Sequence, residues 1–221
     1  MTNPTAAMLV IGDEILSGRT RDANMYHLAG QLTKHGIDLK EVRVVSDSPL
    51  AIIAATRALS ACYTHVFTSG GIGPTHDDIT ADCIAKAFGA PIGIRADARA
   101  ILQAHYHAQQ LPLNDARLRM ARIPNGATLI DNPISKAPGF TLLNVHVMAG
   151  VPSIFQAMVA SILPSLTGGQ PLISKTYKIE RGEGDIAAPI GALASAFPTL
   201  SIGCYPFQKD GLFGANILMR G

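Results

Sequence analysis

Short apolar runs alternate with segments of helical periodicity along most of the chain. Continuous apolar runs predict buried strands over 6–11 and 145–149, a β-branched and aromatic run predicts a short strand over 64–67, and further strands are expected over 37–45 and 127–130. Apolar residues spaced three and four positions apart predict helices over 22–35, 49–62, 81–88, 96–109, 114–121 and 154–166. This β-α alternation with short connections is typical of a mostly parallel sheet covered by helices on both faces. We therefore expect an α/β fold with three layers, α/β/α.

A change of pattern follows Thr167-Gly168-Gly169-Gln170-Pro171, which reads as a linker. Beyond it the pattern predicts a strand, an Ala-rich helix and two strands, over 174–180, 185–197, 201–205 and 213–219. We expect two domains, 1–168 and 169–221, the second being a small α+β domain of βαββ order.

The most informative segment is Thr68 to Thr80, between the third strand and the helix after it. Gly70, Gly71 and Gly73 allow the backbone to approach a ligand closely and to point N–H groups at it. The N-terminus of the following helix adds a positive dipole. This pattern indicates an anion site, most often used for phosphate. The alternative is a structural corner in which Asp77 or Asp78 only caps the helix.

Carboxylates follow three of the predicted strands. Asp13 follows the first, Asp47 the second, and Asp77 and Asp78 the third. Because parallel strands end at one edge of a sheet, we expect these loops to converge there. Carboxylates repel phosphate unless a cation lies between them, so we expect Asp13, Asp47, Asp77 and Asp78 to hold Mg²⁺ or another divalent metal.

A fourth loop, at Gly150, is expected at the same edge, and a loop between two strands of the sheet carries a further candidate phosphate contact. Lys136 lies in a turn-rich loop over 131–140, where it could reach a phosphate or be solvated. Gly150 follows the strand over 145–149 and offers backbone N–H groups. The glycines fit neither a P-loop nor a dinucleotide-binding fingerprint, and the chain has no G-x-S-x-G nucleophile motif.

Composition excludes several classes of protein. The net charge is only +2 and there is no Trp, so nucleic-acid binding is not expected. No apolar run is long enough to cross a membrane, and the N-terminal residues lack the basic region of a signal peptide. Cys62, Cys83 and Cys204 lack metal-ligand spacing, so we expect buried thiols. These features favour a cytoplasmic protein without a membrane partner.

Several motifs together resemble the MoaB/Mog molybdopterin-binding domain family, closest to the N-terminal region of the competence/damage-inducible protein CinA. The matching segments are Gly12-Asp13-Glu14-Ile15-Leu16, Asn24, Ser69-Gly70-Gly71-Ile72-Gly73-Pro74-Thr75-His76-Asp77-Asp78-Ile79-Thr80, Asn132-Pro133, Ala137-Pro138-Gly139 and Gly150-Val151-Pro152. The tail, with Ser201-Ile202-Gly203-Cys204-Tyr205-Pro206, resembles the KH-like domain that follows in CinA proteins. His76 departs from the family, which often has lysine there.

The resemblance implies a site for molybdopterin or a nucleotide at the strand ends. Asp47 and Asp78 would correspond to the acidic positions that serve Mg²⁺-ATP-dependent adenylylation in MoaB/Mog relatives, and we expect them to be catalytic. In the CinA branch the associated activity is metal-dependent hydrolysis of a pyrophosphate bond, as in ADP-ribose or FAD. The expected phosphate or ligand contacts are Gly12, Asn24, Ser69, Gly70, Gly71, Gly73, Pro74, Thr75, Thr80, Lys136 and Gly150.

Three hypotheses follow for function. The first is a metal-dependent nucleotide pyrophosphatase that acts on a small-molecule substrate. The second is molybdopterin binding or adenylylation in molybdenum-cofactor biosynthesis. The third is a ligand-binding module without turnover. In each case we expect a small nucleotide or pterin partner and a homo-oligomer.

Overall fold

The first apolar run forms strand β1 (Thr5–Ile11), which is buried on both faces in a computed structural model that describes residues 2–209 and 211–221. Ala7, Leu9 and Ile11 pack into one hydrophobic cluster, and the alternate residues Ala6, Met8 and Val10 pack into another. Side chains of a strand alternate between faces, so a continuous apolar run fits a strand covered by helices on both sides.

The described chain divides into two compact units, residues 1–170 and 171–221. The remaining strands of the first unit are β2 (Asp38–Val45), β3 (His65–Ser69), β4 (Ile92–Ile94), β5 (Arg122–Pro124), β6 (Thr128–Ile130), β7 (Gly139–Leu142) and β8 (Val145–Met148). Its helices are α1 (Asp13–Leu16), α2 (Asn24–Lys34), α3 (Pro49–Cys62), α4 (Thr80–Phe88), α5 (Ala96–Ala108), α6 (Asp115–Leu118) and α7 (Pro152–Ile162). Two 3-10 turns follow α6 and α7, at Arg119–Ala121 and Leu163–Ser165.

The central sheet has six strands in the order β2-β1-β3-β8-β7-β6. Strands β2, β1, β3 and β8 pair in parallel, whereas β7 is antiparallel to both of its neighbours. Strand β6 therefore runs in the same direction as β8, and the loop after β6 opens at the same edge as the loops after β1, β2, β3 and β8. The mostly parallel, three-layer α/β fold predicted from the sequence is confirmed.

Strand β7 and the β4–β5 pair were not predicted. The segment 131–140 was expected to be a loop throughout, yet Gly139 and Phe140 begin β7, and Thr141 pairs with both Thr128 and His146. A Cβ at Gly139 would collide with Val147 O, so the close approach of β7 to β8 requires glycine there. Strands this short carry too little periodicity to be recognised in sequence.

The second unit contains β9 (Ser174–Ile179), α8 (Glu183–Ala196), β10 (Ser201–Lys209) and β11 (Leu212–Arg220). Its antiparallel sheet has the order β10-β11-β9, which confirms a small α+β domain of βαββ order. A small core forms where Ile186 of α8 meets Ala215 and Ile217 of β11. In the part of the chain that the structure describes, no helix is long and apolar enough to cross a membrane.

Candidate functional site

The glycine-rich loop after β3 has a backbone conformation that only glycine adopts easily. Gly70 has φ 110° and Gly71 has φ 69°. A Cβ at Gly70 would collide with Ile11 O, and one at Gly71 would collide with the Thr80 hydroxyl. Thr80 is buried beneath the loop, where its hydroxyl donates to Gly70 O at 3.0 Å and its N–H to Gly71 O at 2.9 Å. Thr80, a predicted ligand contact, thus stabilises the loop through hydrogen bonds to its backbone.

The glycine-rich loop leaves the backbone N–H groups of Gly71, Ile72 and Gly73 without an internal acceptor. None of the three donates a hydrogen bond to another group in the described residues. The loop leads into α4, and no side chain caps the first turn of that helix. The alternative in which Asp77 or Asp78 serves only as a helix cap therefore does not describe this corner. Successive free N–H groups form a concave donor surface suited to an anion.

Asp78 folds back over the loop. Its Oδ2 accepts from the Thr75 N–H at 2.8 Å and from the Thr75 hydroxyl at 2.5 Å. The pKa of the neighbouring Asp77 carboxyl is lowered, chiefly by the Thr75 hydroxyl and secondarily by the Asp77 backbone N–H. The 2.5 Å contact makes Asp78 the main acceptor, because one hydroxyl donates to one oxygen at a time. His76 is almost fully exposed and lies 3.9 Å from Asp77.

Asp13 and Asp47 connect the loops that follow β1 and β2. The Asp13 N–H donates to Asp47 Oδ2 at 2.9 Å, and the Asp47 N–H points back to Asp13 Oδ1 at 3.4 Å. Burial raises the pKa of the Asp47 carboxyl, and the charges of Asp13, Glu14 and Asp77 add to this; the hydrogen bond from Asp13 opposes it. The Asp47 carboxyl is thus more inclined to hold a proton than an ordinary aspartate is.

Between these loops lies a cleft of about 510 Å³. Four acidic side chains line it: Glu14, Asp47, Asp77 and Asp78. Its other lining residues are Ile11, Gly12, Thr20, Gly70, Gly71, Ile72, Gly73, Pro74, Met120, Asn132, Ser135, Ala137, Ala149, Gly150, Val151, Pro152 and Ile154. The structure therefore brings the four loops predicted at this edge, together with the loop over 131–140, to one cleft.

Glu14 was not among the residues predicted for the site, although the sequence drew attention to its loop. The Glu14 carboxylate folds over Gly12, where a Cβ would lie 2.6 Å from either carboxylate oxygen. Glu14 lines the cleft, whereas Asp13 does not and acts on it through Asp47. Their adjacent positions in the short helix α1 point the two side chains in different directions.

Asn24 lies behind the cleft and connects two of its loops. It is 3% exposed, and its Nδ2 donates to Ser69 Oγ at 2.8 Å and to Gly150 O at 2.7 Å. A Cβ at Gly150 would lie 3.3 Å from Gly70 Cα, so the two loops touch through glycine. Asn24 and Ser69, which is also buried, thus position the wall of the cleft.

The loop that carries Lys136 presents other residues to the cleft. Lys136 has φ 61° and is absent from the cleft lining, which includes its neighbours Ser135 and Ala137. Asn132 organises the loop, because its Nδ2 donates to Ser135 Oγ at 2.6 Å and to Ala137 O at 2.8 Å. Asn132 and Ser135 are polar lining residues that the sequence analysis did not assign to the site.

The cleft is acidic and has no cationic lining among the described residues. No three His, Cys, Asp or Glu side chains in the described chain are close enough together to bind a metal by themselves. Mg²⁺, however, is commonly held by one or two carboxylates together with substrate phosphates. The carboxylates of the cleft fit that arrangement, and Asp78 Oδ2 lies beside Gly73, one of the residues with a free N–H group.

Comparisons with known proteins agree with this architecture. Residues 7–168 match the family model described as "Probable molybdopterin binding domain", and residues 171–221 match the one described as "FAD synthase, middle domain". A protein of Metallosphaera sedula is 35% identical over 76% of this chain and 65% of its own length. A CinA-like protein of Citrifermentans bemidjiense is 36% identical over 73% of this chain and 40% of its own length. The chain thus spans less than two thirds of either relative.

Solved structures show the same likeness. The crystal structure of CinA from Thermoplasma acidophilum, a protein of unknown function, has a TM-score of 0.68 and 32% identity, and the match covers 75% of this chain and 99% of that one. The molybdopterin biosynthesis enzyme MoaB from Thermus thermophilus has a TM-score of 0.51 and 14% identity over 74% of this chain and 91% of that one, which shows a shared fold. The chain belongs to the probable molybdopterin binding domain family, and within it to the CinA-like proteins.

Proposed function

We propose that the cleft binds a phosphorylated small molecule with a divalent cation and hydrolyses its pyrophosphate bond. The observation that carries this proposal is the row of free N–H groups at Gly71, Ile72 and Gly73, which opens on a cleft lined by Asp47 and Asp78. Three adjacent N–H donors suit phosphoryl oxygens, and the carboxylates beside them suit a metal ion that accompanies the phosphates.

Each part of the chain has a defined task in this proposal. The N–H groups of Gly71 to Gly73 would hold the phosphoryl oxygens and offset the charge that develops on them. Asp78 would hold the cation, with Glu14 and Asp77 adding negative charge beside it. The bound cation would supply electrostatic stabilisation of the phosphoryl group.

Asp47, left free of the cation, would accept the proton of the attacking water. Its raised pKa makes it a better base than an ordinary surface carboxylate. The short contact with Thr75 leaves Asp78 Oδ2 occupied, so Asp78 is the weaker candidate for proton transfer. The apolar side chains of Val151 and Ile154, which line the cleft in the loop and helix after β8, would exclude water from the remainder of the substrate.

The test is hydrolysis of ADP-ribose or FAD by the purified chain, with AMP as the product, in the presence of Mg²⁺, Mn²⁺, Co²⁺ or Ni²⁺. We expect AMP with at least one metal and a rate reduced by about 10²-fold or more in Asp47→Asn. The asparagine can still accept from the Asp13 N–H, so the loops should stay folded. No AMP with any metal, from a wild type that binds the substrate, would refute hydrolysis.

Molybdopterin is the second candidate ligand, and the family description favours it. The cleft offers an aliphatic wall but no aromatic side chain among its described lining residues, so a pterin ring would pack on Ile72, Val151 and Ile154. Restored molybdoenzyme activity in an adenylyltransferase-deficient strain would support a role in cofactor synthesis. Tight binding of either ligand without turnover would identify a binding module.

A further inference from the structure

Among the described residues, the side chains that line the cleft carry negative charge and no positive charge, which disfavours the binding of an anionic ligand. Its described lining has four carboxylates and no Lys, Arg or His. Lys136, the predicted cation, is not among the lining residues. A divalent ion offsets part of this charge, but a phosphate or pyrophosphate would still gain from a guanidinium that donates to its oxygens.

Arg119 lies against the same glycine loop. It begins the 3-10 turn Arg119–Ala121, and its Nη2 donates to Asp78 O at 3.4 Å. Arg119 also lines a small cavity of about 20 Å³ whose other residues include Gly71, Ile72, Gly73, Asp78 and Met120. Those five residues line the cleft as well, so the cavity and the cleft meet along the loop.

The Arg119 guanidinium is incompletely satisfied by the protein. Its Nε is buried and has no hydrogen-bond partner, and Arg119 forms no ion pair with a described residue. Arg122, three residues later on the same wall, pairs with Asp82 instead. A buried donor without an acceptor is costly, so an arginine held this way next to a ligand cleft has an unmet capacity to bind an anion.

We propose that Arg119 is an anion-binding residue of the cleft, where its guanidinium would donate to phosphoryl oxygens held by the N–H groups of Gly71 to Gly73. This inference rests on the proposed binding of a phosphorylated ligand, but it does not require hydrolysis. On binding, Arg119 would exchange its long contact with Asp78 O for a charge-assisted hydrogen bond, and its planar fork suits two phosphoryl oxygens at once.

The test is a titration of the full chain, followed by NMR of the arginine Nε–H resonances. The probes are inorganic phosphate, inorganic pyrophosphate and ADP-ribose, each with and without Mg²⁺. The Arg119 resonance is assigned by its absence from the Arg119→Lys spectrum. Affinities of the wild type, Arg119→Lys, Arg119→Gln and Arg99→Gln are measured by calorimetry. Arg99 is an exposed arginine on α5 that does not line the cleft, and Arg99→Gln is the matched control.

We expect pyrophosphate or ADP-ribose to shift the Arg119 resonance. Arg119→Gln should bind about 10- to 100-fold more weakly, Arg119→Lys should lie between it and the wild type, and Arg99→Gln should match the wild type. Unchanged affinity in folded Arg119→Gln, or no shift with any probe, would overturn the proposal. Binding that depends on Arg119 without release of AMP would instead refute only the hydrolytic function.

Discussion

At the scale of single residues, the site depends on a few side chains whose surroundings differ more than their types do. Four carboxylates line the cleft, yet the pKa of Asp47 is raised by burial and by acidic neighbours, whereas the pKa of Asp77 is lowered by hydrogen bonds. Different environments assign different tasks to identical groups. In this cleft Asp47 is suited to take up a proton and Asp77 to remain charged.

This difference predicts the acid limb of the activity profile. Asp47 must be deprotonated to act as a base, so the rate of AMP release should fall as pH decreases through the raised pKa of Asp47. The midpoint should lie above the usual pKa of an aspartate. Steady-state measurements of kcat/KM between pH 4 and 8 would check this midpoint. In Asp77→Asn, which removes one neighbouring charge, the midpoint should move to lower pH; a midpoint that stays in place would contradict the assignment.

Glycine makes a second residue-scale prediction possible. Gly71 and Gly18 have nearly the same positive φ, 69° and 71°, but a Cβ would collide with the Thr80 hydroxyl only at Gly71. Gly18→Ala should lose only the backbone term of roughly 1–2 kcal/mol in free energy of unfolding. Gly71→Ala should lose clearly more and should weaken ligand binding. Urea denaturation of both variants checks this, and equal losses would show that the contact with Thr80 does not constrain the loop.

At the scale of elements, polar side chains near the N-terminal ends of β3 and β8 form a buried series of hydrogen-bond contacts. His65 Nδ1 lies 3.2 Å from His146 Nε2, and His146 Nδ1 lies 3.0 Å from Thr141 Oγ1. Burial, and secondarily the charge of His65, lowers the pKa of His146 to about 3. The pKa of His65 is also lowered, by burial and by His35. The sheet therefore holds an uncharged histidine pair between two of its central strands.

This pair predicts a loss of stability in acid. The unfolded chain binds a proton at His146 near pH 6.5, whereas the folded chain does so only near pH 3, so protons favour unfolding between these values. The contribution of uncharged His146 to the free energy of unfolding is intact above pH 6.5. It is lost by up to about 1.4 kcal/mol per pH unit as pH falls toward 3. Carboxylates also titrate there, so wild type is compared with His146→Gln by chemical denaturation. A variant with the same pH slope as wild type would contradict this account.

The elements also show how far sequence reasoning reaches. Strand ends of a parallel sheet share one edge, so the loops at Asp47, Asp78 and Gly150 could be placed together without a structure. The orientation within each loop could not be predicted. Helix α1 has four residues, too few for periodicity to show that Glu14 rather than Asp13 lines the cleft. Lys136 adopts a positive φ that its residue type does not suggest.

Contacts between residues far apart in the sequence could not be predicted either. The sequence names Asn24 as a ligand contact, but no local pattern shows that it is buried or that its amide connects Ser69 and Gly150. Arg119 reaches the carbonyl of Asp78 across 41 positions of sequence. No local pattern encodes either contact, since both depend on how helices and turns pack on the finished sheet.

At the scale of the whole molecule, every described residue that lines the cleft lies between Ile11 and Ile154, within the first compact unit. A fragment of residues 1–170 should therefore bind ligand as the full chain does. That fragment keeps the contacts of Gln170 with Asn3 and of Gly169 with Gly36. Calorimetry with the same probe would compare the two proteins. A folded fragment with more than about tenfold weaker binding would show that residues 171–221 contribute to the site.

Strand β3 has a consequence for the order in which the protein is made. It pairs with β1 on one side and with β8 on the other, but β8 begins only at Val145. At roughly 5–20 residues per second, the edge of β3 at Val66 and Phe67 stays unpaired for several seconds of synthesis. An unpaired apolar strand edge is a template for aggregation. Slower translation between Gly70 and Val145 would prolong this exposure, so the nascent chain is most vulnerable at the strand that carries its glycine loop.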